Sequence, residues 1–483
     1  MKIGVNGRFY GAAVTGVQRF AREVAARLFG RADDLVLFLP RGVEPPAGLD
    51  ARVRVVRGTL AGRTWEHLEL PWRMRAERCG ALLNLANVAP LVGGPHVLVL
   101  HDVLAITNPE WFSRRFAAWY RFAQGRWARR AARVATVSGW VRDEAARVLG
   151  LDPDLITVVA QGIEPFDRPA SPEAIRVARQ RWALPDTYLL AVAGGDPRKN
   201  VRFLLRMLAR WRGMRGVAPT LIVVGGSRPA VHGYASGRGP DAGGYDEAEI
   251  RAAGDVRFLG RVDDEDLRTL YTAATVFCFP SEAEGFGRPP LEAMGCGTPV
   301  VVAPYGPAHE VLGGVAPIIE LETGRWIQTL ERLLRSPEER RALAEAGRRH
   351  ALRYRWDATA DALLALCREV AGAPEAEVPA PVPLVQDAAY SSLPAAPEPA
   401  TPEAAAPETA AAETAARETA GPEPAAAETG APGPGDAPPA PAIRRRRRRA
   451  SPGSDVARRR PPEERAASPG AHAHAREEPP EEA

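Results

Sequence analysis

Short, unbroken runs of apolar and β-branched residues recur along the first 373 residues, each followed by a stretch of helical periodicity. LVLFLP (35–40), HVLVLHDV (96–103) and RVATVS (133–138) lie in the first half. YLLAVAGG (188–195), TLIVVGG (220–226), VRFLG (256–260), ATVFCFPS (274–281) and TPVVVAP (298–304) follow in the second. Strands that lack polar alternation are buried on both faces, which is the condition of a parallel sheet covered by helices on each side. The stretches 17–29, 111–132, 201–212, 263–273, 290–294 and 325–334 read as such helices. Two blocks of this kind, joined around residues 165–187, predict an α/β chain of two doubly wound domains with a cleft between them. Ligands of open parallel sheets bind at the carboxyl ends of the strands, so the loops that follow these runs are where candidate residues are sought.

Composition changes abruptly near residue 374. Beyond it the chain is Pro, Ala, Glu and Thr, with Glu408, Glu413, Glu418, Glu423 and Glu428 spaced at five residues, a period of neither helix nor strand. Such a segment cannot bury enough apolar surface to offset the entropy of ordering, so 374–483 is expected to be a disordered tail. It contains the arginine block Arg444 to Arg449, a candidate hook for nucleic acid or anionic lipid and otherwise a solvated low-complexity run. The expected organisation is therefore a first domain over 1–165, a linker over 166–187, a second domain over 188–350, a closing helix over 351–373 and the tail. Twelve arginines oppose eighteen acidic residues in the tail, so the first 373 residues hold an excess of ten positive charges. A basic body suits anionic ligands. Among 63 basic residues only Lys2 and Lys199 are lysines.

Several classes are set aside. Cys79, Cys278, Cys296 and Cys367 are too widely spaced for a disulfide scaffold or a cysteine zinc site, which fits a reducing cytoplasm. No run reaches the roughly 18 apolar residues of a spanning helix, and the N-terminus has no long apolar leader, so a cytoplasmic protein, at most peripheral at the membrane face, is expected. KIGVNGRFYG suggests a dinucleotide-binding turn, yet Gly4, Gly7 and Gly11 do not fit G-x-G-x-x-G. Asp263-Asp264-Glu265-Asp266 contains the metal-type spacing D-x-D, but it opens a helical run. There Asp263 reads better as an N-cap, with the other acids complementing the helix dipole.

Residues 278–304, CFPSEAEGFGRPPLEAMGCGTPVVVAP, carry the strongest signal. A buried strand ends at Phe279-Pro280-Ser281. The turn Gly285-Phe286-Gly287 follows, and then a short helix starts with Arg288-Pro289-Pro290. Exposed amides at a glycine turn and helix start suit an anion or sugar hydroxyls. Glu284 before the turn and Glu292 on the helix are carboxylates able to accept hydrogen bonds from ring hydroxyls. This segment resembles the E-x7-E signature of retaining glycosyltransferase family 4, the group-1 glycosyltransferases of GT-B fold. Asp196-Pro197-Arg198-Lys199-Asn200 is similar to the family's P-R-K-N loop, Gly16-Val17-Gln18-Arg19-Phe20 to its G-[IV]-x-R-[YF] loop, and His101-Asp102 to its H-D element. Asn108 to Phe112, Ala135 to Ser138 and Trp356 match further landmarks. Departures are Gly194-Gly195 in place of V-G plus a polar residue, Gln161-Gly162-Ile163-Glu164 in place of N-G-[VI]-D, and His309 in place of Pro before Glu310.

The resemblance implies transfer of a hexosyl unit from a nucleotide-diphospho-sugar to a glycan or lipid-linked acceptor hydroxyl, with no essential metal or other cofactor. The first domain would receive the acceptor and the second the donor. By resemblance Lys199 and Arg198 contact the diphosphate, Gly16 lets backbone approach it, and Glu292 holds the ribose. Glu284 with the amides of Gly285, Phe286 and Gly287 orients the sugar, and His101 closes the site from the first domain. The aromatic, arginine-rich segment 111–133 suggests peripheral contact with the inner membrane, against the alternative of a packed helix with a solvated arginine face. Nucleic acid is not an expected partner except through the arginine-rich tail. A reading of another class is a non-catalytic scaffold that displays that tail.

Overall fold

The structure, a computed structural model, describes residues 2–31, 34–193, 196–225 and 246–372. Gly194, Gly195 and the tail with its arginine block lie outside the described residues.

The first domain is a seven-stranded parallel sheet of β1 (Lys2–Asn6), β2 (Leu35–Leu39), β3 (Arg54–Arg57), β4 (Cys79–Asn84), β5 (His96–Leu100), β6 (Arg133–Thr136) and β7 (Ile156–Val158), in the order β3-β2-β1-β4-β5-β6-β7. The second is a five-stranded parallel sheet of β8 (Tyr188–Val192), β9 (Thr220–Val224), β10 (Val256–Gly260), β11 (Val276–Phe279) and β12 (Val300–Val302), in the order β10-β9-β8-β11-β12. Every residue of β2, β5 and β11 is buried, as two-sided helix cover requires. Chain order reverses at β1/β4 in one sheet and at β8/β11 in the other. Ligands of open parallel sheets bind over the carboxyl strand ends at such switch points. The candidate residues all follow β5, β8 or β11, or open the helix after β1.

Two expectations about elements need correcting. The stretch read as a linker holds the helix Pro172–Trp182, started by Ser171, whose Oγ accepts from Ala174 N–H at 3.1 Å. It packs on the helix Asp264–Ala273, where Arg181 meets Asp266 at 2.9 Å. The 111–132 stretch is not one helix. A 3-10 turn, Pro109–Trp111, ends before Ser113, which caps the helix Arg114–Arg130 by accepting from Phe116 N–H at 3.3 Å. Phe112 and Trp127 are buried there and Trp119 partly so, whereas Phe122 is 55% exposed among outward-facing arginines. Asp263 is the N-cap expected of it, accepting from Asp266 N–H at 2.8 Å.

The closing helix, Trp356–Val370, returns to the first domain and packs on the helix Gly16–Phe29 and on β4, β5 and β6. Trp356 is buried edge-on to Phe20, with ring centroids 5.6 Å apart, and Arg31 pairs with Asp357 and Asp361 at the rim. The 161–164 segment runs directly under this helix, and Gly162 leaves the space that Trp356 uses: a Cβ there would stand 2.2 Å from the Trp356 nitrogen.

Candidate active site

The loop after β8 is built around a tight charge arrangement. Asp196 accepts from Arg198 N–H at 3.1 Å and closes a 3-10 turn, Pro197–Lys199, while the Arg198 guanidinium returns to the same carboxylate at 2.6 and 2.8 Å. Burial raises the Asp196 pKa, but the charges and hydrogen bonds of Arg198 and the charge of Lys199 outweigh it, so the carboxyl lies below its ordinary value. Lys199 crosses to the loop after β11 and donates to Glu284 Oε1 at 2.6 Å, with Nζ 4.9 Å from the centre of the Phe279 ring. Ser281 Oγ donates to the same carboxylate oxygen at 2.5 Å, and Glu282 N–H fastens the loop to Arg198 O at 2.9 Å. Lys199 and Glu284 are 17% and 11% exposed, so both ions are largely desolvated and depend on each other.

Beyond Glu284 the chain turns into the helix Arg288–Gly295. Gly287 adopts φ +86°, and a Cβ there would stand 2.3 Å from Tyr305 Oη, so both the backbone angle and the packing require glycine. The Phe286 side chain points into the core against Tyr354, leaving only its backbone for a ligand. Glu292 is 3% exposed and both its oxygens are engaged: Arg288 Nε donates to Oε1 at 2.6 Å and Tyr271 Oη to Oε2 at 3.1 Å. The expected ribose ligand is thus oriented by two side chains that the motif did not single out. Burial raises the Tyr271 pKa, and the Glu292 charge adds to it, so the phenol stays a donor.

His101 and Asp102 approach from the end of β5. A Cβ on Gly285 would lie 1.8 Å from His101 O, so the two domains touch backbone to backbone at the glycine turn. The His101 imidazole, expected to close the site from the first domain, is itself enclosed. It is 5% exposed, stands edge-on to Phe20, and its Nε2 bonds to Leu85 O at 2.9 Å, so only Nδ1 is left to accept. Burial pushes its pKa down to about 4, the Leu85 bond opposing the shift and the Arg288 charge adding to it. Asp102, the second residue of the H-D element, has no role of its own in the sequence reading and is half-buried. Burial raises its pKa, Arg198 opposes, and Glu284 and Asp196 add to the rise. Gly16 opens its helix on the exposed side with no neighbour where a Cβ would be. Next to it Val14 O accepts from Arg261 of the second domain at 3.1 Å, and Arg19 pairs with Asp264.

Two further contacts join the domains. Ser138 Oγ donates to Gly285 O at 2.7 Å. Glu310, from the short helix Ala308–Leu312, accepts from Gly139 N–H at 2.6 Å and Trp140 N–H at 3.0 Å, and so caps the helix Gly139–Leu149. Both residues lie in stretches that matched landmarks, but nothing in a linear pattern says that they meet. Among the described residues no group of three His, Cys, Asp or Glu is placed to hold a metal ion, and no helix is long and apolar enough to cross a membrane.

Two doubly wound parallel-sheet domains that meet at their strand-end loops, at Gly285 and His101, are the GT-B architecture. Residues 175–350 match the family Glycosyl transferases group 1 and residues 14–165 match Glycosyltransferase Family 4, together more than half of the sequence. The chain belongs to the group-1 glycosyltransferases of family 4 type. D-inositol 3-phosphate glycosyltransferase from Mycobacterium tuberculosis is 35% identical over 250 residues, 49% of this chain and 48% of that protein. The chain thus spans about half the length of the curated relatives it matches. Anabaena Alr3699/HepE in complex with UDP and glucose has a similar structure, with TM-score 0.60 and 21% identity over 76% of this chain and 99% of that one. Sucrose-phosphate synthase from Thermosynechococcus elongatus, at TM-score 0.60 and 18% identity, covers 77% of this chain and 99% of its own. WaaG, a glycosyltransferase involved in lipopolysaccharide biosynthesis, at TM-score 0.55 and 18%, covers 75% and 99%. At these identities the structural likeness establishes the fold.

Proposed function

We propose that the chain is a retaining hexosyltransferase that moves a mannosyl- or glucosyl-like unit from a nucleotide-diphospho-sugar to a glycan or lipid-linked acceptor hydroxyl in cell-surface polysaccharide synthesis. The observation that carries this reading is the desolvated Lys199–Glu284 pair, braced by Ser281 and flanked by Arg198, beneath the backbone contact between Gly285 and His101. As the bond from sugar C1 to the diphosphate oxygen breaks, negative charge builds on the departing phosphate. The Lys199 ammonium is held where it can stabilise that charge without reorganising, and Arg198 stands beside it. Glu284 is released from Lys199 as the phosphate arrives and orients the sugar with the Gly285–Gly287 amides. Glu292, aligned by Arg288 and Tyr271, takes the ribose. The new bond forms from the acceptor oxygen to C1, and the acceptor proton passes to the leaving phosphate oxygen. His101 stays neutral at physiological pH, with Nδ1 as an acceptor for a sugar hydroxyl.

A UDP-hexose or GDP-mannose is the favoured donor. UDP and UDP-glucose are each bound in structures of one protein of similar fold, Anabaena Alr3699/HepE. Positive charge on the protein serves the diphosphate in this scheme, and no metal or other cofactor enters it. The exposed Leu68, Trp72 and Phe122, amid arginines, suit a peripheral position at the cytoplasmic membrane face. A screen of nucleotide sugars for hydrolysis and transfer tests the reading. One donor should be consumed, and Lys199→Ala or Glu292→Ala should abolish turnover with an unchanged circular dichroism spectrum. Full turnover in either variant would refute it.

A further inference from the structure

Each carboxylate of the E-x7-E pair holds a cation of its own. Lys199 Nζ donates to Glu284 Oε1 at 2.6 Å, and Arg288 Nε donates to Glu292 Oε1 at 2.6 Å. The two guanidiniums beside these acids are engaged differently. Arg198 turns back on Asp196 through both Nε and Nη2, at 2.8 and 2.6 Å. Arg288 meets Glu292 through Nε, while its Nη1 is buried with no hydrogen-bond partner among the described residues. A guanidinium carries five N–H donors, and buried polar atoms are nearly always satisfied. Arg288 therefore keeps donors, in an enclosed position, for an acceptor that the described chain does not supply. Glu292 does not depend on Arg288 alone, because Tyr271 Oη donates to its Oε2 at 3.1 Å.

The order of groups along the pocket identifies that acceptor. Gly285 meets His101 backbone to backbone, since a Cβ on Gly285 would lie 1.8 Å from His101 O. Arg288 opens the helix just beyond this turn, and Glu292 follows one helical turn later. The Arg288 charge also reaches the His101 imidazole. The guanidinium thus stands between the sugar side of the site, marked by Glu284, Gly285 and His101, and the carboxylate proposed to hold the ribose. In a nucleotide-diphospho-sugar, what links ribose to sugar is the pair of phosphates, the first esterified to the ribose and the second to sugar C1. A cation fixed on the ribose carboxylate lies next to the first phosphate. A cation fixed on the sugar-orienting carboxylate lies next to the second. A guanidinium with an unused edge suits phosphate oxygens, which accept its N–H groups in pairs.

We propose that Arg288 binds the ribose-side phosphate of the donor through the guanidinium edge not used on Glu292, so that each phosphate has a separate cation, Arg288 for the first and Lys199 for the second. This deepens the glycosyl-transfer reading and rests on its placement of ribose and sugar. The bond that breaks lies on the second phosphate, so the Arg288 contact is equally strong in ground and transition states. In turnover Arg288→Gln should therefore raise KM and spare kcat, whereas Lys199→Ala lowers kcat. The decisive test titrates UMP, GMP, UDP and GDP calorimetrically into full-length wild type, Arg288→Gln and Lys199→Ala, with uridine and guanosine followed by ligand NMR. In Arg288→Gln the monophosphate and diphosphate of the preferred base should both weaken at least about tenfold, the low end for a hydrogen bond to a charged group. Lys199→Ala should weaken the diphosphate alone. The nucleoside should bind Arg288→Gln as it binds wild type, because Tyr271 still aligns Glu292. Arg288→Lys, which keeps the charge and loses the fork, should show the same ordering of ligands with a smaller loss, and carries the test if the Gln variant does not fold. A nucleoside weakened as much as the monophosphate would reduce Arg288 to a brace for Glu292, and monophosphate binding that ignores Arg288 would place the guanidinium off the phosphates. Either result overturns the assignment and leaves the donor reading in place. No binding of any nucleotide to wild type would instead overturn the donor reading, and this assignment with it.

Discussion

Closure of the two domains should depend measurably on Glu310, although it touches no substrate in the scheme above. Its carboxylate accepts two backbone N–H groups, Gly139 at 2.6 Å and Trp140 at 3.0 Å, at the positive end of the helix Gly139–Leu149. Hydrogen bonds to a charged group contribute about 1.5–3 kcal/mol each. A carboxylate at a helix start adds roughly 0.3–1 kcal/mol. Glu310 is only half-buried, so water recovers part of both terms when it is removed. Glu310→Ala should then cost about 2–3 kcal/mol, a shift of roughly 30- to 140-fold in the equilibrium that holds the domains together. Hydrogen exchange over residues 138–146 reads this directly. The Gly139 and Trp140 amides should exchange faster by that factor, while Val141 N–H, which donates to Ser138 Oγ at 3.2 Å, keeps its own cap and serves as the internal reference. Transfer kcat/KM should fall while nucleotide affinity stays within about twofold, because no donor residue has changed. Unaltered protection at Gly139 and Trp140 would refute the reasoning.

Gly285→Ala should abolish transfer while nucleotide binding by the second domain survives, since the new methyl would lie 1.8 Å from His101 O and hold the domains apart; calorimetry beside a turnover assay separates the two. The depressed His101 pKa means that the unfolded chain binds a proton the folded chain refuses. Stability is therefore full above about pH 6.5 and is lost progressively toward pH 4, by about 3 kcal/mol at most. His96 and His350 shift in the same direction. Urea unfolding at pH 7.5 and 5 should show the loss, and His101→Gln should reduce it. Asp263→Ala should cost about 1 kcal/mol in the same unfolding experiment, the usual value of an N-cap, with catalysis intact.

The strands buried on both faces could be read directly, because continuous β-branched runs such as Leu35–Leu39 and His96–Leu100 have few other uses. Strands β3, β4 and β7 escaped notice for opposite reasons. Arg54–Arg57 is a partly exposed edge with an arginine at each end, Cys79–Asn84 begins with Cys-Gly, and Ile156–Val158 is three residues long. The helix Pro172–Trp182 buries only Ala178, so its apolar stripe is too weak to distinguish it from a linker. In the site, spacing along the chain brought out Glu284, Glu292 and Lys199. It could not reveal that Lys199 would pair with Glu284 rather than Glu292, or that Arg288 and Tyr271 would take up both oxygens of Glu292. The Lys199–Glu284 pairing depends on which strand ends become neighbours, a property of the β8/β11 adjacency, and the Tyr271 bond on how the helix Asp264–Ala273 packs, whereas Arg288 stands one helical turn before Glu292 and was the one local signal. The Glu310 cap and the Arg8–Glu66 contact are likewise tertiary, joining residues 171 and 58 positions apart.

The most direct test is equilibrium binding of UDP and GDP to the wild-type chain and to Lys199→Ala. One nucleoside diphosphate should bind wild type saturably, and removal of the ammonium should weaken it by roughly a hundredfold, about the 2.7 kcal/mol lower bound of losing one preorganised charge partner. Equal affinity in the two proteins, or no binding of either nucleotide to wild type, would contradict the assignment of the β8/β11 loops as the donor site.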